Sequence, residues 1–137
     1  MKVVLDVSAA FAVITAGASS QFLPQLESAA QVLAPDLYYS EAANAAWKFH
    51  HIEGLSPEAS HKLAERAIQL VDIFFPSELL WKEALEMACK IAHPIYDCYY
   101  LALARQEESA LLTADRRLIK IAGELRIPVI GPEGPAA

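Results

Sequence analysis

The strongest constraint on this chain is how short and how apolar its candidate strands are. Lys2-Val3-Val4-Leu5, Val32-Leu33-Ala34-Pro35, Val71 to Phe75, Ala110-Leu111-Leu112-Thr113 and Pro128-Val129-Ile130 are almost wholly apolar and end at polar or breaker residues. A strand with one face in water alternates; a strand that does not must be covered on both faces. The intervening segments have helical length. Ser8 to Thr15 is Ala-rich and closes near Gly17, Phe22 to Gln31 is a second helical stretch, and Leu37 to His51 runs until Gly54 breaks it. Ser56-Pro57-Glu58 is a helix start, with a Ser cap, Pro at the first position and an acid at the positive dipole end, and that helix runs to about Leu70. Ser77-Glu78 opens another, whose Leu80, Ala84, Met87 and Ile91 follow the helical period. His93-Pro94 interrupts, Ile95 to Arg105 follows, and Asp115 to Glu124 forms the last helix. Alternating strands and helices of this kind predict an α/β sandwich around a parallel sheet. No internal repeat is present. The domain is expected to span 1–131, and a tail over 132–137, with Pro132, Gly134 and Pro135, is expected to fray.

At 137 residues the chain has room for one domain with a real core. Its 55% hydrophobic and 20% charged residues exclude disorder. The net charge of −6 argues against a protein that coats nucleic acid non-specifically, but not against a nuclease whose acidic site binds metal ions. Cys89 and Cys98 form no C-x-x-C pair, so no disulfide framework is implied and a reducing, cytoplasmic setting is expected. Val7 to Leu26 carries no charge and resembles a signal segment, but Asp6 interrupts the apolar run and the unbroken block Ala9 to Ile14 is short. No stretch approaches the roughly 20 apolar residues of a membrane span.

The acids are placed unusually. Asp6 follows the first strand directly and Asp115 comes just after the fourth; Glu41 lies in the first turns of the helix after Pro35, and Asp97 in the first turn of the helix after Pro94. Each has an ordinary reading alone: a helix-start acid, an N-cap or a solvated carboxylate. As a set they occupy positions that can converge on one edge of a parallel sheet, where sites gather at the carboxyl ends of strands. Convergent carboxylates repel and would stay partly protonated unless a cation joined them. Oxygen-only ligands suit Mg²⁺ or Mn²⁺, and such ions activate water for phosphodiester hydrolysis. The residues alone therefore point to a metal-dependent phosphodiesterase or nuclease.

Four ordered segments carry a family resemblance. They are Val3-Val4-Leu5-Asp6-Val7-Ser8, Ala34-Pro35-Asp36-Leu37 continuing to Glu41-Ala42-Ala43-Asn44, Tyr96-Asp97-Cys98-Tyr99-Tyr100-Leu101-Ala102-Leu103-Ala104, and Leu112-Thr113-Ala114-Asp115-Arg116-Arg117-Leu118. Over nearly the whole chain the sequence resembles the PIN domain family, specifically its small VapC-like ribonuclease toxins. The resemblance implies a five-stranded parallel sheet between helices and metal-dependent endoribonuclease activity with Mg²⁺ or Mn²⁺. It implies catalytic and metal-holding roles for Asp6, Glu41, Asp97 and Asp115, and accessory roles for Ser8, Asn44 and Thr113. The implied partners are RNA, a small antitoxin and a second copy of the chain. Cys98 departs from the family's usual alanine, and Arg116-Arg117 stand without a further acid nearby. A module that binds RNA or protein without cutting, and a metal-dependent phosphatase, are the competing functions.

Lys48 and His51 continue the Glu41–Asn44 helix face, and Arg116, Arg117 and Lys120 follow Asp115; all are candidate RNA contacts, with a solvated helix face as the plain alternative. Cys89, His93 and Cys98 have no standard zinc spacing and no fourth ligand. Asp36 reads as a turn or N-cap acid. Trp47, Phe49, Trp81, Tyr96, Tyr99 and Tyr100 fall within helices, where core or subunit packing is expected. There is no G-x-G-x-x-G or P-loop for a nucleotide cofactor. Ser8 stands where a haloacid-dehalogenase phosphatase would need a second acid.

Overall fold

The structure is a computed structural model that describes residues 1–135, with side chains to residue 134. Five parallel strands form one sheet: β1 (Lys2–Leu5), β2 (Gln31–Pro35), β3 (Ile73–Phe75), β4 (Ala110–Leu112) and β5 (Val129–Gly131). A sixth, β6 (Gly134–Pro135), turns back and pairs antiparallel with β5. The order β3-β2-β1-β4-β5-β6 puts β1 in the middle, with Val3 opposite Val32 on one side and Ala110 on the other. Val3, Val4, Leu5, Leu111 and Leu112 are fully buried, which is why these strands show no alternation.

Seven helices cover the sheet: α1 (Val7–Ala16), α2 (Leu23–Ser28), α3 (Leu37–Glu53), α4 (Pro57–Gln69), α5 (Trp81–Ile91), α6 (Ile95–Gln106) and α7 (Arg116–Glu124). α6 lies against β1, β2 and β4 with α5 packed on it; α1, α3 and α4 pack on one another, and α7 lies against β5. The Phe11 and Phe49 rings stack 5.7 Å apart and join α1 to α3. The buried Tyr38 hydroxyl donates to the Ala67 carbonyl and joins α3 to α4. The Ser56 side chain caps α4 by accepting from Ala59 N, with Pro57 at its first position. Gly54 closes α3 in the left-handed region at φ 76°, donating to the His50 carbonyl.

Several elements differ from the sequence expectation. α2 is shorter than Phe22 to Gln31 because Gln31 joins β2 opposite Lys2. β3 begins at Ile73; Asp72, just before it, accepts from Val32 N at 2.8 Å. Ser77–Leu79 is a 3₁₀ turn rather than the start of α5. Asp36 does not cap α3: its carboxylate accepts from Ser77 N and Ser77 Oγ and ties the β2–α3 loop to the turn after β3. The tail expected to fray contributes β6 at 134–135, and its end, residues 136 and 137, lies outside the described residues. No helix among the described residues is long and apolar enough to cross a membrane.

Candidate active site

The chain crosses from one half of the sheet to the other between β1 and β4, so the crevice at their carboxyl ends is the topological switch point. Asp6 sits at the end of β1 and its backbone N–H donates to the Leu112 carbonyl of β4. Its side chain, only 6% exposed, caps α1 by accepting from Ala9 N at 2.9 Å. The same oxygen, Oδ1, accepts from Ser8 Oγ at 2.7 Å, and Oδ2 accepts from Thr113 Oγ1 at 2.5 Å. Both hydroxyl protons are thus committed to Asp6. The Ser8 and Thr113 oxygens, 3.2 Å apart, then serve as acceptors for Ala114 N and Asp115 N. This lattice fixes the β1 and β4 ends against each other and places the Asp115 backbone beside Thr113.

Asp115 caps α7 through Oδ1, which accepts from Arg117 N at 2.9 Å and Leu118 N at 3.4 Å. The plain reading of this residue therefore holds for one oxygen; Oδ2 has no hydrogen-bond partner among the described residues. Glu41 behaves alike: Tyr100 Oη donates to Oε1 at 2.5 Å, and Oε2 is left open. Asp97 has His93 Nε2 on Oδ2 at 2.7 Å, with Oδ1 open. Among the described residues, three acids therefore each have one oxygen hydrogen-bonded and one without a hydrogen-bond partner. Asp6 keeps one lone pair on Oδ2 unused, since a carboxylate has about four acceptor sites.

The electrostatics tie three of the acids into a chain. Burial pushes the Asp6 carboxyl up from 3.8 to about 6, against the bonds from Thr113, Ala9 and Ser8, and the Glu41 charge pushes it further the same way. Glu41 is raised by burial, lowered by the Tyr100 bond and raised by the Asp97 charge. Asp115 is tied to Asp6 through Thr113, whose Oγ1 donates to Asp6 and accepts from Asp115 N. The described His, Cys, Asp and Glu side chains nowhere form a group of three that would hold an ion as they stand. The donor set nevertheless fits a hard divalent cation: every atom without a partner among the described residues is a carboxylate oxygen, and Asp6 and Glu41, each raised by burial and by a neighbouring carboxylate, are an arrangement that a cation would relieve.

The other sequence candidates are placed less centrally. Ser8 and Thr113 are integral to the Asp6 lattice. Asn44 is exposed one turn beyond Glu41, with no side-chain hydrogen bond among the described residues. Lys48 lies two turns along α3, exposed, and His51 stacks on Trp47 at 4.7 Å. Arg116 and Arg117 are exposed at the start of α7; Arg116 is 4.0 Å from Glu133, with both side chains almost fully exposed. Cys98 is buried, its thiol raised to about 11 by burial, and its Sγ faces the Pro94 carbonyl. With His93 on Asp97 and Cys89 exposed, these three residues are not assembled as a zinc site. Trp47, Trp81 and Tyr96 are exposed rather than core. Sequence reading missed Tyr100 and His93 as holders of the acids. Tyr100 could have been found, since it lies three residues after Asp97 and so on the same helix face. His93 is separated from α6 by Pro94, and no periodicity marks it.

A parallel sheet of this order, with an acid at the ends of both switch-point strands and two more on flanking helices, defines a class of small carboxylate-site α/β domains. The PIN domain model matches residues 3–124, and the chain belongs to the PIN domain family. It is 37% identical over 123 residues to Ribonuclease VapC3 of Pyrobaculum aerophilum, an alignment covering 86% of this chain and 92% of that protein. The fold is similar to the crystal structure of PAE2754 from Pyrobaculum aerophilum, with a TM-score of 0.74 and 20% identity over 97% of this chain and 93% of that one.

Proposed function

We propose that this PIN domain is a Mg²⁺- or Mn²⁺-dependent endoribonuclease, the toxin of a toxin–antitoxin pair. The observation that carries the reading is the open oxygen on each of Glu41, Asp97 and Asp115, beside a buried Asp6 at the switch point. The likeness to a protein named as a ribonuclease supports the same substrate class. Asp6, Glu41, Asp97 and Asp115 are the residues that would hold the metal. A divalent ion bound there supplies Lewis-acid stabilisation of phosphate charge and lowers the pKa of water. The protein's own contribution is orientation. Ser8, Thr113 and Ala9 N pin Asp6, Tyr100 holds Glu41 and His93 holds Asp97, which limits the orientations those carboxylates can take. The Ser8 and Thr113 hydroxyls donate their protons to Asp6, and in this reading water rather than a side chain is the attacking group. Arg116 and Arg117, beside Asp115, serve as phosphate contacts, with Lys48 and Asn44 further out on α3.

The partners that complete this reading are a small antitoxin and a second copy of the chain. The setting is cytoplasmic, in keeping with the free thiols of Cys89 and Cys98. The deciding experiment measures cleavage of mixed-sequence RNA with Mn²⁺ by the wild type and by Asp6→Asn and Asp97→Asn. Loss of about 10²-fold or more in both variants is expected, a magnitude typical of removing one catalytic group. Equal cleavage by the variants would falsify the assigned roles. Metal binding without turnover of any RNA would instead favour a non-cleaving module, and turnover of phosphomonoesters with RNA left intact would favour a phosphatase.

A further inference from the structure

The acidic balance of the chain is broken in one place. Residues 116–126 contain Arg116, Arg117, Lys120 and Arg126 against Glu124 alone, a local net charge of +3 in a chain of −6. Four of the 11 Lys and Arg residues thus fall within eleven positions. Buried Leu118, Ile121 and Ala122 fix which side of α7 faces the core, so the cations are turned outward. Arg116, Lys120 and Gly123 have the i, i+4, i+7 spacing of a single helix face, a stripe that begins beside Asp115. Among the described residues Arg117, Lys120 and Arg126 have no carboxylate within ion-pair distance, whereas Lys2 and Arg105 are paired with Glu107 and Glu83.

The stripe leads into a groove. Between α7 and the segment entering β5 lies a cavity of about 540 Å³, lined by Ile119, Lys120, Gly123, Arg126, Pro128 and Val129, with Ile127. Its walls are apolar and its charged lining groups are both cationic. Lys120 lies five residues beyond Asp115, or about 8 Å along the helix axis at 1.5 Å per residue. Cations that track the phosphates are one component of single-strand binding; the groove supplies these beside apolar walls, without an aromatic stacking platform. We propose that this groove is a distal RNA subsite, reached along α7 from the scissile position, in which Lys120 and Arg126 contact backbone phosphates remote from the bond that is cut. The proposal rests on the ribonuclease reading above and extends its contacts from Arg116 and Arg117 to a shaped site beyond them. Glu124 and Glu108, which lines the adjoining pocket with Arg126, mark where the positive track ends.

Gly123 offers a test that leaves charge alone. A Cβ there would meet nothing within 4 Å, and its backbone is helical without a positive φ, so Gly123→Leu intrudes on the groove while improving helix propensity. Binding of a fluorescein-labelled mixed-sequence single-stranded RNA is measured by anisotropy in an Asp6→Asn background, so that the probe is not cut, across a salt series. Lys120→Gln/Arg126→Gln is expected to weaken binding about tenfold and to lower the log–log salt slope by about 1.4, the release expected for two single-strand phosphate contacts. Gly123→Leu is expected to weaken binding with the slope unchanged and thermal stability not reduced. Lys62→Gln/Lys90→Gln, an equal charge loss on α4 and α5, is expected to bind within twofold of the parent. Parent-like affinity and slope in the Lys120/Arg126 variant overturn the subsite and leave the ribonuclease reading standing. Equal loss in the Lys62/Lys90 control assigns the effect to bulk charge and overturns it as well. Unchanged RNA binding, with loss of binding to a polyglutamate peptide, assigns the groove to an acidic protein segment instead. A parent chain that binds no RNA at all overturns both the subsite and the reading on which it rests.

Discussion

Asp6 does two jobs that conflict. As the cap of α1 and the anchor of Thr113 it is buried; in the metal-site role proposed for it, it would be charged. Its carboxyl, raised from 3.8 to about 6, keeps its proton in the folded chain at acidities where the unfolded chain has lost it. The stability this contributes is fully present below pH 3.8 and is lost as pH rises through about 6. At about 1.4 kcal/mol per pKa unit the charged form costs up to about 3 kcal/mol at neutral pH. Asp6→Asn should therefore be more stable than wild type in chelator at pH 7.5, by about 2 kcal/mol, and the gap should close below pH 4. Urea unfolding at the two pH values checks this; a variant less stable than wild type at pH 7.5 would show that the lattice depends on the charge. Mn²⁺ should then stabilise the wild type and not the variant. Asp6 and Asp115 are legible in the sequence as candidates because each closely follows an apolar strand, although each also caps a helix. The groups that hold the acids are not. Tyr100 reads as core by composition and is core by burial; its spacing from Asp97 marks the helix face but not its bond to Glu41, 59 positions away in sequence.

The strands could be read from the sequence because burial on both faces leaves an unbroken apolar run, and their order fits one acid at each switch-point strand end. The helix boundaries were harder wherever a long-range contact decides them. The register of β2 against β1 claims Gln31, a residue helical by local pattern, and the Asp36–Ser77 bond across two loops holds the 3₁₀ turn that delays α5. α5 also ends against its own chemistry. Its final turn is closed by Ala92 in the left-handed region at φ 52°, donating to the Ala88 carbonyl, where glycine is the usual residue. His93 follows immediately and reaches Asp97, so the strained cap sets where the α5–α6 turn delivers a holder of the site. Ala92→Gly should relieve the cap and stabilise the fold by about 0.5–1 kcal/mol. An increase in the urea midpoint without a change in slope is the expected result; no increase would mean that the surrounding turn, not the residue, determines the conformation.

At the scale of the whole molecule the uneven features of the surface divide the labour. The acidic crevice sits at the switch point, and the cationic stripe leaves it along α7. An apolar area lies elsewhere: Leu79, Trp81 and Leu85 are 58, 44 and 45% exposed, and Trp81 and Leu85 share a face of α5 at i, i+4 spacing. Tyr96, 61% exposed at the start of the adjoining α6, is a fourth large apolar group on this hairpin. Scattered exposed apolar residues need no explanation, but several on one helix hairpin of a 137-residue chain are what an interface leaves uncovered in a single protomer. An isologous dimer would bury the same face on both copies. Trp81→Glu/Leu85→Glu should therefore convert a dimer at tens of micromolar to a monomer. Because both side chains already face solvent, the circular dichroism and thermal midpoint of the folded protomer should change little. Sedimentation velocity checks both chains together. A wild type that sediments as a monomer at those concentrations would overturn the interface.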